Sequence, residues 1–86
     1  MSVMIEVIYR KPEDADHERG ISEFVSLYRG VVSCREDDWG QTQQAICLTI
    51  EFWNWEDADK ACAAFRKRGD YVEGPHEYGS APPGEN

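Results

Sequence analysis

The chain has 86 residues, 41% of them hydrophobic and ten aromatic, and carries a formal net charge of −8 from 17 acids and nine bases. That is enough apolar material for one small domain with its own core, and it excludes a globally disordered chain. The acidity opposes phosphate backbones and anionic lipid surfaces, and three cysteines do not make a disulfide framework, so a reducing cytoplasm is the expected setting.

The first residues lack a basic region and a long apolar run, so neither a signal peptide nor a membrane span is expected. Val3, Ile5, Val7 and Tyr9 alternate with Met4, Glu6, Ile8 and Arg10, the period of a strand. Pro12 ends it, and Glu13, Asp14 and Asp16 open a helix. Ile21, Phe24, Val25 and Tyr28 supply that helix with an apolar stripe, weakened by Gly20 and stopped by Gly30. Residues 31–35 read as a short second strand, with Cys34 pointing inward beside Val32. Residues 36–42, with Asp37, Asp38 and Trp39, read as a long hairpin loop.

Ile46, Leu48, Ile50 and Phe52 then alternate with Cys47, Thr49 and Glu51 in a third strand. Asn54 is placed to cap a second helix, and Trp53 to staple it against Ala58. Acids at Glu56, Asp57 and Asp59 and bases at Arg66, Lys67 and Arg68 suit the helix dipole. Ala58, Ala61, Cys62 and Phe65 form its core stripe, and Gly69 its left-handed stop. Residues 71–78 read as a fourth strand interrupted at Gly74-Pro75, which suits a sheet edge. Residues 79–86, rich in Gly, Pro and Ser, read as a disordered tail, leaving one domain over residues 1–78.

The order βαββαβ predicts an α+β, ferredoxin-like plait: a four-stranded antiparallel sheet in the order 4-1-3-2, with two helices on one face. The other face is left open. Taking strands one and three as parallel puts both helix starts at one end, gathering Glu13, Asp14, Asp16 and Glu18 with Glu56, Asp57, Asp59 and Glu77 into a single acidic pole.

Glu51-Phe52 followed by the run from Glu56 to Ala61 resembles an RNA-recognition motif, as does the passage from Ile21 through Gly30 to Val32. The resemblance implies the same plait. It would imply RNA binding only with stacking rings on the third strand, and this chain has Cys47 and Thr49 at both stacking positions. No RNA-contacting residue carries over, and nucleic acid is not expected as a partner. The acidic-aromatic ending Glu51-Phe52-Trp53, leading into an acidic helix start, is similar to dimeric plait proteins of the antibiotic-biosynthesis-monooxygenase type. That resemblance implies dimerisation through open sheet faces, with a ligand held between helices and sheet.

Catalytic signatures are missing from the pattern. His17 and His76 show no metal-ligand spacing, so no metal and no cofactor are expected. Cys47 would need a nearby cation to become a reactive thiolate, and Arg35 is the one candidate. The expectation is therefore a small acidic, non-catalytic protein-interaction module, an inhibitor or adaptor docking on a basic protein partner. Its contacts would be Glu13, Asp14, Asp16, Glu56, Asp57, Asp59 and Trp39. The alternative is a homodimer that binds a small ligand or performs cofactor-free oxygenase-like chemistry, using Met4, Ile8, Cys47 and Thr49 on the open face.

Overall fold

A computed structural model describes residues 2–78. The elements are β1 (Ser2–Arg10), α1 (Ala15–Ser26), β2 (Val31–Trp39), β3 (Ala45–Phe52), α2 (Trp55–Arg68) and β4 (Tyr71–Tyr78). They form one sheet in the order β2-β3-β1-β4, with every neighbouring pair antiparallel. This is the expected ferredoxin-like βαββαβ plait. The tail expected at residues 79–86 lies outside the described residues. No helix among the described residues is long and apolar enough to cross a membrane.

The core follows the alternation of the two central strands. Val3, Ile5 and Val7 of β1 and Ile46, Leu48, Ile50 and Phe52 of β3 point to one side and are buried. Ile21 and Val25 of α1 and Ala58, Ala61, Cys62 and Phe65 of α2 close over them. Burying a large aliphatic or aromatic side chain contributes about 1.5–3 kcal/mol, so this layer dominates stability. The helices meet through an edge-to-face pair, Phe24 and Phe65, at 5.0 Å between ring centroids. The Arg68 guanidinium lies 4.5 Å above the Phe24 ring and closes that seam.

Local signals set the helix ends. The Asp14 side chain accepts from the His17 N–H at 3.0 Å and caps α1. Asn54 accepts from the Asp57 N–H at 2.8 Å and caps α2. Gly69 turns left-handed at φ 97°, and the following Asp70 N–H reaches back to the Phe65 carbonyl at 3.0 Å. The expected staple does not form: Trp53 is 80% exposed, because Ala58 presents too little surface to hold an indole.

Three further expectations are corrected. β2 does not stop at residue 35 but runs to Trp39, so Trp39 belongs to the sheet rather than to a loop. Register shifts on β2 between Val32 and Cys34 and between Glu36 and Trp39 break the alternation that would have marked the longer strand. The first shift also turns Cys34 away from Val32, leaving it exposed on the open side opposite Thr49.

The third correction concerns direction. Val3 pairs with Phe52 and Arg10 with Ala45, so β1 and β3 run antiparallel. A crossover keeps β2 parallel to β1, and the β2–β3 hairpin then reverses the chain once. The two helices therefore start at opposite ends of the sheet. Glu13, Asp14, Asp16 and Glu18 lie at the Arg10 end, whereas Glu56, Asp57 and Asp59 lie at the Val3 end, and the single acidic pole does not exist.

Candidate functional site: the open sheet face

With both helices on one side, the residues alternating with the core strands form an uncovered surface. The register orders it in rows. Beginning at the Arg10 end, Trp39, Ala45 and Arg10 lie side by side. Next come Glu36, Cys47, Ile8 and Tyr71, then Cys34, Thr49, Glu6 and Glu73, then Val31, Glu51, Met4 and His76. Met4, Ile8, Cys47 and Thr49 thus form one central patch, at the positions expected from alternation. The carboxylates Glu6, Glu36, Glu51 and Glu73 stand within or around that patch, and Arg10 and His76 are the basic groups that share the face. Glu6 is paired with His76, Oε2 to Nε2, at 2.9 Å.

Cys47 sits on this face yet is only 5% exposed. Burial, then the neighbouring carboxylates of Glu6, Glu36 and Glu73, push its thiol up to about 11. The group is a protonated thiol at neutral pH and a poor nucleophile. Arg35, the cation expected to activate it, is on the opposite side. Its Nε donates to Glu18 Oε1 at 2.8 Å, and its Nη2 donates to Glu13 Oε2 at 2.6 Å. The Tyr9 hydroxyl donates to Glu18 Oε2, and the Asp14 N–H donates to that hydroxyl at 3.0 Å. Hydrogen bonds from Arg35 hold the Glu18 carboxyl below its ordinary range, while burial and the bond to Glu18 raise the Tyr9 phenol. This network ties the start of α1 to β1 and β2, and its fork-like Arg–carboxylate geometry is that of a structural clamp.

A cleft of about 660 Å³ occupies the Arg10 end of the open face, lined by Ile8, Tyr9, Arg10, Trp39, Thr42, Gln44, Ala45 and Tyr71. A second of about 270 Å³ lies at the Val3 end, among residues that include Val31, Glu51 and the exposed Trp53. The larger cleft was not foreseen from the residue pattern. Its one advance signal was the Trp39–Ala45 spacing, which suits a hairpin whose ends are opposite each other across a short turn.

Of the expected contact residues, Trp39 joins the open face, while Glu13, Asp14 and Asp16 sit apart from Glu56, Asp57 and Asp59. His17 stands edge-on to the Tyr9 ring at 4.9 Å and is remote in register from His76. Among the described residues, no group of three or more His, Cys, Asp or Glu side chains is placed to hold a metal ion. No family model matches the chain, and no curated protein and no solved structure matches it significantly. The plait thus rests on the chain's own strand order.

Proposed function

We propose that this protein is an interaction module whose open sheet face receives a cationic segment of a protein partner. One observation carries the reading: Glu6, Glu36, Glu51 and Glu73 border a central patch of Met4, Ile8, Cys47 and Thr49 on a face that the helices leave bare. A ligand that presents arginine or lysine around an apolar centre matches both features. The protonated Cys47 supports a binding role over nucleophilic catalysis at this face. The unpaired cysteines fit a cytoplasmic setting.

Self-association through this face is the competing reading. A two-fold dimer would press the same patch against itself, crowding the glutamates of one copy against the acidic patch of the other. Like charges brought together in an interface cost several kcal/mol. A basic partner relieves that repulsion, which is why it is preferred to a second copy.

The test pairs two variants of equal charge. One carries Glu6→Gln, Glu36→Gln and Glu73→Gln on the open face. The other carries Asp16→Asn, Glu23→Gln and Asp59→Asn on the helices. Binding of a short peptide of alternating arginine and leucine is followed by calorimetry. The open-face variant should lose roughly tenfold or more in affinity, while the helix variant stays near wild type. Equal losses in both would reduce the effect to net charge and refute the assignment.

A further inference from the structure

We propose that the cleft at the Arg10 end of the open face is a binding site for a planar aromatic carboxylate, with the ring held at Trp39 and Tyr71 and the carboxylate on Arg10. The proposal rests on the cleft itself and stands independently of the docking surface described above.

Among the described residues, Arg10 is the only charged side chain lining the cleft. Of the nine Lys and Arg side chains, only Arg10 and Lys67, which lies on the helix side, make no ion pair or hydrogen bond among the described residues. Lys11, Arg19, Arg29, Arg35, Lys60 and Arg68 each pair with a carboxylate. Arg66 donates to the carbonyls of Val72 and Gly74. The side chain of Arg10 makes no ion pair or hydrogen bond among the described residues, although acids outnumber bases 17 to nine. A free guanidinium in a cleft presents a planar fork of donors suited to a carboxylate.

The walls fix the rest of the ligand. Trp39 stands across Ala45 from Arg10, and Tyr71 stands beside Ile8 in the adjacent row. The small Ala45 side chain leaves depth between them. Tyr71 is 60% exposed, yet its hydroxyl donates to Glu73 at 3.0 Å, which steadies the ring at the cleft's edge. Two aromatic walls over an aliphatic floor suit a flat apolar body, and Thr42 and Gln44 add hydrogen-bonding groups. The volume of about 660 Å³ falls within the range of small-molecule sites. The charge balance sets the anion. A single cation neutralises one negative charge, whereas a phosphate dianion would bring excess charge near Glu36 and Glu73. A monoanionic carboxylate is therefore favoured.

The probe is 2-naphthoate, titrated by calorimetry and by the NMR signal of the Trp39 indole N–H. Wild-type protein should show saturable one-to-one binding that shifts this signal. Arg10→Gln should weaken binding roughly tenfold or more, and the neutral probe 2-naphthamide should bind wild type more weakly by a similar factor. Lys67→Gln, which removes a cation from the helix side, should leave binding unchanged. No saturable binding at millimolar probe overturns the proposal. So does equal affinity for the amide, undiminished binding to Arg10→Gln, or a loss in Lys67→Gln as large as that in Arg10→Gln.

Discussion

The two faces of this sheet are built from the same strands, one residue out of phase, and they have opposite characters. On the covered side, Val3, Ile5, Ile46 and Ile50 are wholly shielded from solvent. On the open side, their immediate neighbours are Met4, Glu6, Cys47 and Glu51, with carboxylates interleaved among apolar groups. A period of two lets one stretch of chain specify stability on one surface and recognition on the other. Substitutions on the covered face should therefore act on folding, and those on the open face on binding.

The sharpest way to break this contrast is a matched pair of variants. Ile50→Ala should cost about 2–5 kcal/mol in denaturant unfolding, because it empties a fully buried site. Glu36→Gln, on the exposed side of β2, should stay within about 0.5 kcal/mol. Comparable losses would mean that the open face is part of the core.

A second variant probes the β1–β4 join. Gly74 adopts φ +106° at the register shift, and a Cβ there would come within 2.9 Å of the Met4 carbonyl oxygen. Gly74→Ala should destabilise by about 1–3 kcal/mol through strain and overpacking. A neutral result would show that β4 is free to move away from β1.

The clamp on the covered side predicts a pH effect. Arg35 lowers the Glu18 carboxyl in the folded state. Stability from this group is therefore complete above the unfolded glutamate value of about 4.3. It is lost as pH falls through the lower folded value. Thermal melts of wild type and Glu18→Gln should differ most near neutrality and converge in acid. A constant gap across that window would remove Glu18 from the account.

The smallest effect is a gain. Nothing lies within 4 Å of a Cβ placed on Gly20, which is inside α1. Gly20→Ala should stabilise the protein by up to about 1 kcal/mol, measured by the unfolding midpoint. Destabilisation would mean that α1 is not a regular helix at that point.

Much of this architecture was legible before folding. The strict alternation from Ile46 to Phe52, the Asn54 cap and the Gly69 stop are local signals, and each holds in the structure. β2 was harder to read. Its acids Glu36, Asp37 and Asp38 resemble loop composition, and its bulges break the period that identifies a strand. Those bulges hid the placement of Cys34 and Trp39, and with it the Arg10 cleft. The acidic pole failed for a different reason. Helix composition places acids near helix starts, but the relative direction of β1 and β3 decides whether those starts meet, and direction depends on connections rather than composition.

The most direct test of the two-face account is methyl NMR during titration with the arginine–leucine peptide. The Met4 and Ile8 methyl signals should shift with saturation, while those of Ile21 and Ile50, sealed under the helices, stay in place. Shifts that fall on Ile21 and Ile50, with Met4 and Ile8 unmoved, would contradict the two-face account.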